Sequence, residues 1–157
     1  MTENSDQVVP LSIGVLPVTD VPSPILLQNE YDAYLVFDAH SEVPSVPAGT
    51  AIVRLQGCLI TRFGYPNDEA LGGHPLYPRG LGFYGVFEVQ NSSWIAQLQE
   101  QNHRCFPEHK MPRRRHVAIT FHDNMFEGIA HSVHASLTNE DRRSVLGKIT
   151  QLLWGDA

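Results

Sequence analysis

The sequence predicts an α+β protein: an antiparallel sheet of about five strands with two helices packed on one face. Three observations carry this expectation. Residues 31–39 alternate, with Tyr31, Ala33, Leu35, Phe37 and Ala39 on one side and Asp32, Tyr34, Val36, Asp38 and His40 on the other. That is the period of two of a half-buried strand. Residues 116–122 and 125–134 are strand-like runs around Asp123-Asn124, two residues that tolerate the left-handed backbone of a tight hairpin turn. Residues 91–102 and 139–154 each set an apolar stripe at helical spacing behind a capping residue.

The elements follow in order. Residues 1–7 are polar and acidic and are expected to fray. Residues 8–27 hold Pro10, Pro17, Pro22 and Pro24 among Val, Ile and Leu. This predicts one short edge strand and an extended segment, because proline cannot donate to a sheet ladder. The strand over 31–39 leads through a loop at 41–49 into the longest strand, 50–63, where Ala51, Val53, Leu55, Gly57, Leu59 and Phe63 face inward and Gly57 marks a bulge. A loop over 64–81 precedes a strand at 82–90. Asn91 or Ser92 caps a helix carrying Trp94, Ile95 and Leu98. A basic loop, 103–115, leads to the hairpin. In the last helix, Thr138 and Asp141 form a capping-box pattern with Asp in place of the usual Glu, ahead of Val145, Leu146, Ile149, Leu152 and Leu153.

A length of 157 residues suits one domain with a sizeable core. The formal charge of −6 argues against a general nucleic-acid binder. The charge is uneven: residues 1–53 hold seven acids (Glu3, Asp6, Asp20, Glu30, Asp32, Asp38, Glu42) and no Lys or Arg. Such a stretch is either a solvated acidic face or a surface for a basic partner. Cys58 and Cys105 form no C-x-x-C pair, so free thiols in a reducing compartment are expected. The N-terminus lacks a basic segment followed by an apolar run, and no stretch approaches the ~20 apolar residues of a membrane span. A cytoplasmic protein without membrane contact is the expectation.

The most informative stretch is Phe63 to Gln90. It sets Asp68, Glu69, His74, Arg79, Tyr65, Tyr77 and Tyr84 in a Gly/Pro-punctuated loop between strands. Long loops in compact domains are usually functional or disordered, and this one is too aromatic to read as disordered. With Asp123-Asn124 as the turn, the hairpin pairs Thr120 with Glu127 and His116 with His131. One face is then apolar (Val117, Ile119, Phe121, Phe126), and the other carries His116, Thr120, His122, Glu127 and His131. On that register Glu127 reaches His122 diagonally.

Acid–base chemistry on a small polar molecule is the first functional expectation, since histidine exchanges protons near neutrality. His122 and His74 are the candidate acids or bases. Glu127 orients His122, with Asp68, Glu69 and Glu88 as alternative carboxylates. Arg79 pairs with an anionic substrate, and Tyr77, Tyr84 and Thr120 line the pocket. No G-x-S-x-G nucleophile motif is present. A metal site from His116, His122, Glu127 and His131 is the weaker enzymatic alternative, for no H-E-x-x-H or Cys-rich spacing exists. The remaining alternative is a module that neutralises a basic protein through Asp32, Asp38 and Glu42. Gly72-Gly73 and Gly80, Gly82 and Gly85 lack the strand–GxGxxG–helix order of a dinucleotide site, and no cofactor is indicated. Arg113-Arg114-Arg115 reads as a solvated charge run or as a holder of phosphate or carboxylate.

Overall fold

The computed structural model describes residues 5–155. Among them the strands are β1 (Gln7–Pro10), β2 (Val15–Pro17), β3 (Ile25–Gln28), β4 (Asp32–Ser41), β5 (Gly49–Gln56), β6 (Ile60–Gly64), β7 (Val86–Gln90), β8 (Arg115–Thr120), β9 (Met125–Ala130) and β10 (Ser132–Thr138). The helices are α1 (Ser93–Cys105) and α2 (Arg142–Trp154), with two short 3₁₀ helices at Asp68–Gly73 and Tyr77–Arg79. The α+β class holds. The strands divide between two antiparallel sheets: the first in the order β1-β7-β8-β9-β6, the second β10-β5-β4-β2, with β3 pairing along another part of β4. No helix among the described residues is long and apolar enough to cross a membrane.

The sheets pack face to face. Alternation along β4 sends Ala33, Leu35, Phe37 and Ala39 into the shared core, where they meet Val53 and Leu55 of β5 and Val117, Ile119 and Phe126 of the first sheet. Phe37 and Phe121 meet edge-on with ring centroids 5.0 Å apart. Full burial of such a side chain contributes roughly 1.5–3 kcal/mol. The other face of β4 presents Tyr34 and Val36 to Val145 and Ile149 of α2. The outer face of the first sheet is covered by the 64–81 segment: Leu71, Leu76 and Leu81 bury against Val8, Phe87, Val89, Ala118 and Met125. Trp94 of α1 reaches this sheet at His116. The helices therefore sit on the outer sides of different sheets.

Several boundaries differ from expectation for local reasons. The run 50–63 is two strands, because Gly57 adopts φ +62° and turns the chain from the second sheet into the first. Leu59 and Phe63, expected to face inward, are exposed beyond that corner. The run 125–134 breaks at His131 in the same way. The two corners nest: a Cβ on Gly57 would lie 3.1 Å from the His131 Cβ. Strands that switch sheets at bends are how packed sheets make corners. The 8–27 segment forms three short strands. Of the stretch expected to fray, residues 1–4 lie outside the described residues, Asp6 is buried and Gln7 starts β1. The last helix starts at Arg142, capped by Asp141, which accepts from the Ser144 N–H; Thr138 instead accepts from the Glu140 N–H.

Both cysteines are free; Cys58 is buried and Cys105 exposed. Burial pushes the Cys58 thiol up to about 11. A thiol reagent at neutral pH is expected to label Cys105 quickly and Cys58 only on unfolding, because the thiolate is the reactive form. Rapid labelling of both in the folded protein would contradict the buried position of Cys58.

Candidate functional site

The hairpin turn falls one residue earlier than expected. Phe121 N donates to Asn124 O, so His122 and Asp123 are the turn residues, and neither has a positive φ. Moving a two-residue turn by one position slides the register by two. Each residue keeps its face and changes its partner. Glu127 therefore lies opposite Ala118, not Thr120, and His116 opposite Ile129, not His131. The expected Glu127–His122 contact does not form. Glu127 meets His116 instead.

That contact belongs to a buried hydrogen-bonded array. His116 Nε2 lies 2.9 Å from Glu127 Oε1, and its Nδ1 lies 2.7 Å from Ser92 Oγ. An ionised Glu127 only accepts, so His116 Nε2 donates; in the neutral ring Nδ1 then accepts from the Ser92 hydroxyl. Ser92 Oγ in turn accepts from the Ile95 N–H as the N-cap of α1. On the other carboxylate oxygen, His74 Nε2 approaches to 3.5 Å. His74 Nδ1 accepts from the Leu76 N–H at 3.0 Å, which leaves its proton on Nε2, facing Glu127. Arg62 stacks over the Trp94 ring at 3.9 Å and lies 4.0 Å from Glu127. Trp94 also packs edge-on against His116.

Glu127 is 4 % exposed. Burial alone would raise its pKa, but the hydrogen bonds from His116 and His74 outweigh burial and hold the carboxyl at about 2. It is thus a weak base near neutrality, suited to orienting His116 rather than taking a proton itself.

Two cavities meet at His116. The smaller, of about 230 Å³, lies between the 64–81 segment and the hairpin; its walls include Tyr65, His74, Leu76, Met125, Glu127, Arg62, Trp94 and Asp6. The larger, a groove of about 720 Å³, runs along the start of α1 past Ser92, Ile95, Gln99, Arg113, Arg114, Arg115 and His131. Asp6 fixes the first turn of α1: its carboxylate accepts from Ser93 N at 2.5 Å and Ser93 Oγ at 2.8 Å.

The other expected site residues fall elsewhere. His122 Nδ1 donates to Asp68 Oδ2 at 2.7 Å, and the Tyr84 hydroxyl donates to the same oxygen. Tyr84 holds this position at φ +50°, a backbone region that costs a non-glycine residue roughly 1–2 kcal/mol. The Tyr84 and His122 hydrogen bonds lower the Asp68 pKa. Asp68, with Asp123 and Glu69 adding field, raises that of His122, and Asp68 raises Tyr84. This trio lines neither cavity. In a proton NMR titration the His122 ring is expected to titrate above the ordinary imidazole range and to fall back on Asp68→Asn; an unchanged midpoint in that variant would remove Asp68 as the cause.

Thr120 is consumed structurally, donating to Gly82 O and accepting from Gly85 N. Glu88 pairs with Arg115. Tyr77 packs edge-on against Phe83. Glu69 and Arg79 are exposed and line neither cavity. The proposed four-residue metal set does not assemble, since His122 sits in the turn and His131 at a corner. Among the described residues no group of three or more His, Cys, Asp or Glu is arranged to hold a metal ion. The three acids expected to face a basic partner have partners within the fold: Asp32 pairs with Arg54 and Asp38 with Arg142, each at 2.8 Å, and Glu42 accepts from Ser12.

Sequence reasoning missed Ser92 as a partner of His116, as well as Asp6, Arg62 and Trp94. Ser92 carried a signal as a helix cap. Asp6 carried none, because its partner lies 87 positions away. No family model, curated protein or solved structure matches this chain.

Proposed function

We propose that the protein is an enzyme acting on a small polar molecule by acid–base-assisted acyl chemistry, with Ser92 as nucleophile, His116 as its base and Glu127 as the positioning residue. The observation that supports this reading is the hydroxyl–imidazole–carboxylate order of Ser92, His116 and Glu127, at 2.7 and 2.9 Å. That is the order of nucleophile, base and orienting group in covalent catalysis. Ser92 and His116 both line the groove, where a substrate would meet them. Ser92 Oγ bonds to the carbonyl carbon as its proton passes to His116 Nδ1. The same proton then goes to the leaving group as the carbon–leaving-group bond breaks. Water, deprotonated by His116, cleaves the acyl-serine and regenerates the hydroxyl.

A fluorophosphonate probe, a general trap for activated serines, tests the reading. The folded protein is expected to acquire one adduct, mapped by peptide mass spectrometry to Ser92. Ser92→Asn retains a good helix cap and is expected to abolish the adduct with little loss of stability, whereas Ser92→Ala also loses about 1 kcal/mol of helix capping. A folded protein that takes no adduct at Ser92 would reduce the array to a helix cap and a buried ion pair.

A further inference from the structure

We propose that the groove beside Ser92 is an anion site that holds the phosphate of a small phosphorylated ligand on Arg113 and Arg114. In a chain with a net charge of −6, three consecutive arginines line a single concavity. Arg115 is neutralised by Glu88, the one acidic residue among the described residues that line the groove. Among the described residues, no carboxylate lies within ion-pair distance of Arg113 or Arg114. The Arg114 Nε is also buried with no hydrogen-bond partner. An unsatisfied buried donor on a charged group is costly, and a turn of the side chain toward an anion in the groove would relieve it.

The groove adds neutral donors to the arginines, with Asn91 and Gln99 among them. The first N–H groups of α1 do not supply the anion site, because Asp6 and Ser92 already hold Ser93 N and Ile95 N. The positive potential comes from the guanidinium pair. Two uncompensated guanidiniums match the charge of about −1.5 to −2 on a phosphate monoester at neutral pH. Their planar forks also suit bidentate binding of phosphate oxygens. A volume of about 720 Å³ takes a whole small molecule. A long nucleic acid is disfavoured by the protein's overall negative field. The phosphate would anchor one end of the ligand while its other end lies toward Ser92 and His116. The identity of the reacting bond rests on the acyl-transfer reading; the anion site does not.

The test is a low-salt titration of the full chain with inorganic phosphate and with a simple phosphomonoester, followed by arginine Nε–Hε signals in NMR and by calorimetry, with succinate as the carboxylate control. Saturable shifts are expected at Arg113 and Arg114, with phosphate binding more tightly than succinate. Arg113→Gln with Arg114→Gln is expected to weaken binding about tenfold or more, the loss of one or two charged hydrogen bonds, and Arg79→Gln to leave it unchanged. Phosphate binding in a protein that takes no serine adduct would support the groove and remove the acyl reading alone. Serine labelling without saturable phosphate binding would overturn the groove, as would equal binding by the double variant. Stronger binding of succinate would overturn the assignment to phosphate.

Discussion

Glu127→Gln is expected to lower stability near neutral pH by on the order of 3 kcal/mol and to flatten the acid limb of the stability curve. The carboxyl is held at about 2 in the folded protein against an ordinary value of 4.5, and each unit of difference corresponds to about 1.4 kcal/mol. Below 4.5 the unfolded chain binds a proton that the folded chain refuses. Stability is therefore fully present above 4.5 and declines as the pH falls toward 2. The glutamine variant has no such proton to take up. It also turns an amide N–H₂ toward one of two imidazole N–H donors, leaving a buried donor facing a donor. Urea unfolding of both proteins across this pH window decides the matter. The wild-type curve should descend onto that of the variant as the window is crossed. Curves that stay parallel would mean that the array does not hold the charge of Glu127.

Gly80→Ala is expected to cost on the order of 3 kcal/mol, from two sources. Gly80 adopts φ +117° and ends the Tyr77–Arg79 turn, where an added Cβ is strained in any surroundings. The same Cβ would lie 2.6 Å from the carbonyl oxygen of Val8, a backbone atom that cannot swing aside. Either the turn or β1 must move. The turn carries Leu76 and Leu81 into the apolar cluster that covers the outer face of the first sheet, so the variant should also speed amide exchange through 68–81. Gly72→Ala is the control, since nothing lies within 4 Å of the added carbon and φ is not positive; its effect should fall within about 0.5 kcal/mol. Equal stability of the two variants would show that the segment is not pinned at Gly80.

The alternation in 31–39 was legible because β4 is buried on both faces by different partners, and each face carries its own apolar set. Sheet membership was not legible. A period of two reveals a strand but says nothing of which sheet it joins, and the switches at Gly57 and His131 sit inside otherwise continuous apolar runs. The hairpin faces were legible for a related reason: the true turn differs by one position, which preserves parity. The partners were not, so Glu127 was assigned to His122 when Asp68 had already claimed that ring. The 64–81 segment stands out in the sequence by its chemistry, yet it divides its residues between two clusters, His74 with Glu127 and Asp68 with His122 and Tyr84. Only the tertiary path of the chain makes that division. Ser92 was visible as a cap because capping is local, and invisible as a partner of His116 because that pairing is not.

Asp6 gives the site a history as well as a shape. It grips Ser93 across 87 positions of chain, so during synthesis it waits about 4–17 s for that partner at ~5–20 residues per second. β1, which carries Asp6 into place, likewise waits for β7. When that wait ends β2 to β7 have been made, whereas β8 and β9, which bring His116 and Glu127, are still to come. The start of α1 can thus gain its second clamp before the strand that carries His116 has been made, so the serine is held in place ahead of the imidazole it will meet.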